Sequence, residues 1–252
     1  MVNNGNSDGK VFTKDGVMQF AEKYFDNLSV KKGEDDFGRP SNVWKLKAEE
    51  IGTYSNTPDA TYTKKVEAGD IYKDLSLGST IEASDVTVYV NGVEKTAAEI
   101  DIKKGSDVAI GKAVDTNGNG VLTEVFYDDD ADTITITQIL TYIGEINKTV
   151  AATDKKDAYV EVITTVDNNG KKPAKASGTE KFETNEKFDD EAKVLYTFSE
   201  RSGVEEIKSV EVAKEITGTV TQVKNKTNDL DNSGVTVAGT EYKASKTIAS
   251  GL

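Results

Sequence analysis

The chain has 252 residues, enough for two modest domains, and its 44 acidic side chains outnumber 31 basic ones for a formal net charge of −13. It contains no histidine and no cysteine, which removes the side chain that titrates near neutrality, the strongest neutral-pH nucleophile, and the ordinary zinc, haem and iron–sulfur ligand sets. Composition thus points away from an enzyme, and away from a nucleic-acid binder, because the lysines occur singly or in pairs between acids and form no basic stripe.

Hydrophobic residues make up 36% of the chain, and Val, Ile, Thr and Tyr carry most of that load, which favours strands with one wet face. No apolar run approaches the ~18 residues of a membrane span. The opening residues 1–9 are polar and Gly/Asn-rich, unlike a secretory leader. The chain stops in mid-pattern at Gly251-Leu252, and the expectation is a piece of a longer protein.

In chain order, Val17, Phe20, Ala21, Tyr24 and Phe25 recur at helical spacing and predict an amphipathic helix of three turns. A Gly- and Asp-rich turn is expected over residues 32–40, then strands over 43–47 and 61–66 and a short helical turn over 69–75. Residues 86–90 and 93–95 alternate about Asn91-Gly92, the strongest short-range hairpin signal, because both turn residues tolerate positive φ. A second hairpin is expected from 121–127 to 133–139 through the acidic run 128–132, with later strands over 158–163, 194–198, 207–212, 217–223 and 235–242.

The stretch 126–146 is echoed by 196–220, each a hairpin, an apolar strand and a Gly-marked crossing. The expected fold is mainly β, of sandwich or small-barrel units, with one or two short helices. The expected organisation is a polar N-terminus with its helix (1–30), a first β-rich domain (31–146) and a second, barrel-like one (147–252). The boundary is placed at 147–156, where strand periodicity lapses, and residues 167–178 read as a loop.

Three groups of residues could carry chemistry. Asp115, Asn117 and Asn119, followed by Gly120, match the first half of a calcium loop. The twelfth position is Phe126 where a bidentate Glu belongs, so a looser calcium site would recruit Glu124 or Asp128. Asn-Gly-Asn-Gly is equally good turn chemistry. The acids of 128–132 sit at a hairpin tip, where a solvated turn is the expectation. Trp44, the single tryptophan, with Tyr54 and Tyr62, would make a glycan-stacking platform if exposed and coplanar, or a core anchor if buried.

The run Phe37-Gly38-Arg39-Pro40-Ser41-Asn42-Val43-Trp44-Lys45-Leu46-Lys47, with Glu50-Ile51-Gly52-Thr53-Tyr54 behind it, resembles the stretch after the repeats in S-layer-homology-domain-containing surface proteins of clostridial and related Gram-positive bacteria. Gly120-Val121-Leu122-Thr123-Glu124-Val125-Phe126-Tyr127, Thr141-Tyr142-Ile143-Gly144-Glu145 and Gly239-Thr240-Glu241-Tyr242 extend the resemblance over nearly the whole chain. The anchoring repeats of such proteins are not among these residues, so no wall-anchoring role is carried over. The resemblance implies a secreted, non-catalytic structural or interaction segment at the cell surface or wall of a Gram-positive bacterium. Its partners would be cell-wall or host glycans or neighbouring surface proteins. The alternative is a carbohydrate-binding or adhesin module.

Overall fold

A computed structural model describes residues 28–46, 49–95, 100–111, 117–164, 179–203, 206–225 and 232–247. The amphipathic segment around Val17–Phe25 and the loop 167–178 lie outside them. Two compact units emerge, one formed by Met1–Asp35 with Pro40–Asn56, the other by Asp36–Arg39 with Thr57–Leu252. The chain is mainly β, with a single short helix among the described residues, and none of these residues forms a helix long and apolar enough to cross a membrane.

The first unit holds an antiparallel meander of β1 (Leu28–Glu34), β2 (Pro40–Leu46) and β3 (Glu49–Ser55). The turn expected over 32–40 is shorter, since Lys32, Gly33 and Glu34 pair with Asn42, Ser41 and Pro40. Pro40 is tolerated as the first residue of β2, where the absent N–H breaks no interior ladder. Val30, Trp44 and Gly52 face one another across the three strands. Among the described residues of this unit only Ser41 is fully buried, so this sheet is wet on much of both faces.

The second unit begins with β4 (Ala60–Tyr62) and helix α1 (Ala68–Asp74). The Asp70 carboxylate accepts the Glu67 N–H at 3.1 Å, which satisfies one donor at the helix start. Beyond α1 come β5 (Val86–Val90), β6 (Val93–Lys95), β7 (Val121–Asp128) and β8 (Thr133–Leu140), in a sheet ordered β4-β7-β8-β5-β6. Both expected hairpins form, β5 with β6 and β7 with β8. Their mutual arrangement was not expected: β5 runs parallel to β8, with Val86 opposite Ile134. Ile71, Ile102, Ile110, Val125, Ile134 and Ile136 bury one face of this sheet against α1 and the loops around it.

A second sheet, ordered β11-β10-β9-β12-β13, is built from β9 (Tyr142–Val150), β10 (Tyr159–Thr164), β11 (Thr179–Glu183), β12 (Lys193–Ser199) and β13 (Glu206–Val212). Its outer strands β11 and β13 approach each other, so the sheet curls around Ile146, Val160, Val162, Val194 and Tyr196. Tyr142 stacks on Tyr196 at 5.5 Å and leans on Phe198 at 5.0 Å. Asn147–Val150, expected to begin a boundary, are the last residues of β9; Lys148, Thr149 and Val150 pair with β10, and Asn147 falls at a register shift. A third sheet, β14 (Val220–Lys224), β15 (Gly234–Val237) and β16 (Thr240–Lys243), follows as a meander.

A single residue, Thr141, separates β8 from β9, so one chain passes directly from the first large sheet into the second. Asn91, in the β5–β6 turn at φ 47°, is buried at this crossing. Its side-chain amide donates to the Tyr142 hydroxyl at 3.2 Å and accepts the Leu140 N–H at 3.0 Å. Its carbonyl accepts the Glu200 N–H at 2.8 Å. Gly92 follows at φ 82°, and a Cβ there would lie 2.2 Å from the Asp36 carbonyl oxygen, so only glycine fits. Asn91→Gly keeps a residue suited to the positive φ of the turn but removes the acceptor of the Leu140 N–H. Urea unfolding is expected to show a loss of about 2–4 kcal/mol, and a change below about 0.5 kcal/mol would contradict this role for the amide.

Candidate functional site

Three of the four residues proposed as calcium ligands, Asn117, Asn119 and Glu124, lie among the described residues. Asp115 lies outside the described residues. Asn117 is buried, and its amide closes on the backbone of Val66, donating to the carbonyl at 2.6 Å and accepting the N–H at 3.2 Å. This clamp fixes the segment leading into α1. Asn119 is half-buried, and its carbonyl accepts the Lys246 N–H at 2.8 Å. Glu124 lies on β7 opposite Thr137 of β8, on the face turned away from the Val125–Ile136 core. Its carboxylate is buried between the Arg39 guanidinium and the Thr137 hydroxyl, each at 3.5 Å. Arg39 itself lies 5.3 Å over the Phe37 ring.

The acids at the β7–β8 turn are exposed. The Asp128, Asp129 and Asp130 carboxylates converge to within 4.8 Å of one another. Local turn chemistry accounts for much of the geometry. Asp128 accepts the Ala131 N–H at 3.1 Å, and Asp132, at φ 52°, accepts the Tyr127 hydroxyl at 2.7 Å. That hydrogen bond stabilises the protonated phenol and raises the Tyr127 pKa above the ordinary tyrosine value.

The three residues of the expected aromatic platform belong to two units, Trp44 and Tyr54 to one and Tyr62 to the other. Trp44 and Tyr54 meet in the β1–β3 sheet with ring centroids 6.1 Å apart, but at an interplanar angle of 73°, edge to face. Trp44 is half-buried, while Tyr54 is 53% exposed and drapes its ring across Gly52, where a Cβ would sit 3.1 Å from it. An aromatic covering a strand glycine shields backbone that would otherwise be open to water. Ile51, beside the bulge at Trp44/Lys45, is also exposed. Tyr62 belongs to the other unit, packs on the α1 core, and donates its hydroxyl to Asp74 at 2.9 Å. Burial and the Asp74 carboxylate push its pKa well above the ordinary value. Tyr62 is therefore engaged within its own unit.

Sequence reasoning did not anticipate a cleft of about 570 Å³ between α1 and the loop 104–107, lined by Asp70, Tyr72, Lys73, Lys104, Ser106 and Asp107. Gly69 sets its base, with no room for a Cβ beside the Ser106 backbone. Only the tertiary contact of helix and loop creates it, so no local motif could have signalled it. Its charges are mixed in sign and do not favour an ion of either kind.

Fold and surface together define a mainly β protein with buried polar clamps and displayed aromatic and aliphatic side chains on its sheets. Comparison of the chain with protein-family models, with curated proteins and with solved structures returned no match.

Asn117→Asp separates the clamp from the calcium reading. A carboxylate is an equal or better calcium ligand, yet it cannot donate to the Val66 carbonyl. Thermal and urea unfolding should show the same destabilisation, about 1–3 kcal/mol, with millimolar calcium as with chelator. Recovery in calcium alone would return Asn117 to the role of ligand.

Proposed function

We propose that this chain is a non-catalytic, extracellular structural segment of a bacterial surface protein similar to those that carry S-layer-homology domains, presenting β-sheet surfaces to its neighbours. One observation carries the reading: buried polar side chains such as Asn91, Asn117 and Glu124 are committed to internal contacts, while large apolar side chains stand out on the sheets. Ile51, Tyr54, Val220 and Val223 are each more than half exposed. Such display is what an association surface needs. The motif resemblance spanning Phe37 to Tyr54 and Gly239 to Tyr242 supports the cell-surface setting. Antibodies raised against the purified chain are expected to label intact cells of the encoding bacterium, and brief protease treatment of those cells to remove the label. Signal that emerges only after lysis would overturn the proposal.

Tyr54 favours carbohydrate binding as a second reading, because its exposed ring, buttressed by Trp44, offers one stacking face to a sugar. On a glycan array, Tyr54→Ala and Trp44→Ala should each reduce any detected signal by about tenfold, the worth of a good aromatic contact. Unchanged signals in both variants would eliminate that reading.

A further inference from the structure

β14 is the outer strand of its sheet and is laddered on one side only, to β15, among the described residues. Opposed residues of an antiparallel ladder share a face. Val220 opposes Val237, Val223 opposes Val235, and Val235 in turn opposes Tyr242. In a regular strand Val220 and Val223 would fall on opposite faces. The register shift between Val220 and Gln222 bulges out Thr221 and brings both valines to one face.

The reverse face carries Lys224, Glu241 and Lys243, with Glu241 accepting from both lysines at 2.8 and 3.1 Å. Those contacts hold the Glu241 carboxyl below the usual glutamate range. The sheet thus has an ionic face and an apolar face, and Val220 and Val223 are 54% and 55% exposed on the latter. Neither valine belongs to the two buried clusters.

Every residue from 214 to 223 is exposed, Ile216 among them. Open edges are ordinarily blunted with charge. β11 does this with Glu180, Lys181 and Glu183, whereas Lys224 is the only charged residue in β14.

We propose that β14, lengthened by residues 215–219, which lie outside the strand and bend at Gly218 in the single chain, pairs with the same segment of a second copy, antiparallel about a two-fold axis at Thr219 once 215–219 extend. The segment is self-complementary in that register. Val220 opposes Gly218 of the second copy, Gln222 opposes Thr217, Val223 opposes Ile216, and Lys224 opposes Glu215. The Thr221 bulge makes this register possible, because without it Lys224 and Glu215 would project from opposite faces. Two-fold symmetry repeats each pair, so both ends of the contact carry a Lys–Glu pair and the apolar pairs lie on the apolar face of one continuous sheet. This builds on the reading of a surface structural segment and names its neighbour. The purified chain tests the edge independently of where the protein is displayed.

Sedimentation velocity of the full chain in ~0.15 M salt, which screens the net charge beyond about 8 Å, is expected to show a monomer–dimer equilibrium as concentration rises toward about 1 mM. Val223→Lys should weaken the dimer by about tenfold or more. Glu215→Lys and Lys224→Glu, each alone, should weaken it by about threefold to tenfold through two like-charge contacts. An equimolar mixture of those two variants should recover wild-type association, because every end contact is then between opposite charges. A wild type that stays monomeric throughout overturns the proposal. So does an undiminished Val223→Lys dimer, or a mixture no stronger than its components. All the substituted positions are at the surface, and circular dichroism of each variant confirms the retained fold.

Discussion

At the crossing from the first large sheet to the second, the chain has only Thr141 in which to change direction, and the backbone groups of this half-buried junction must find partners. The Thr141 N–H donates to the Gly120 carbonyl, the Thr141 carbonyl accepts the Thr247 hydroxyl, and the neighbours of Thr141 are served by Asn91. Held in the left-handed region by its turn, it presents one acceptor to Leu140, one donor to Tyr142 and its own carbonyl to Glu200. The three partners come from the end of β8, the start of β9 and the end of β12. An unpaired polar group at such a site costs more than an ordinary hydrogen bond contributes, so these bonds couple the turn, the crossing and the second sheet's aromatic cluster. Tyr142 makes the coupling concrete, since the ring that stacks on Tyr196 carries the hydroxyl that accepts from Asn91.

The same logic recurs through the second unit. Asn117 ties a loop to the strand of chain entering α1, and Glu124 is enclosed by Arg39 and Thr137. These are oxygen-rich side chains in the positions a metal site would want, yet each is engaged by the protein itself. Such clamps pair the buried polar groups, while the limited apolar complement is divided between two cores and the displayed faces of the two three-stranded sheets. The displayed share is what distinguishes the surface, with Tyr54 on one small sheet and Val220 and Val223 on the other.

Alternation and turn chemistry made much of the architecture legible. The Asn91-Gly92 hairpin, the Asp-rich β7–β8 turn and most later strands follow from local pattern, because a two-residue positive-φ turn and a period of two are properties of short segments. β1 and β3 escaped notice: Lys31-Lys32-Gly33-Glu34 and Glu49-Glu50-Ile51-Gly52 carry charge and glycine where alternation is sought, and they are strands because β2 lies between them. The calcium-like spacing at Asp115–Asn119 and the aromatic grouping of Trp44, Tyr54 and Tyr62 were patterns in sequence. Sequence spacing gives no information on partners, and in the fold Tyr62 meets Asp74 while Trp44 meets Tyr54 edge-on.

By itself, the sequence determined the β-rich class, the acidic surface, the absence of histidine and cysteine chemistry, and the places where the chain must turn. Each depends on composition or on a few neighbouring residues. Only the tertiary structure decided that β5 runs parallel to β8, that one residue carries the chain between sheets, that Asn91 and Asn117 point inward, and that the Thr221 bulge gathers Val220 and Val223 on one face. Those outcomes depend on register and on partners dozens of residues away. A shift of one residue in register reverses which face a side chain occupies, and periodicity in a single strand carries no information about that shift.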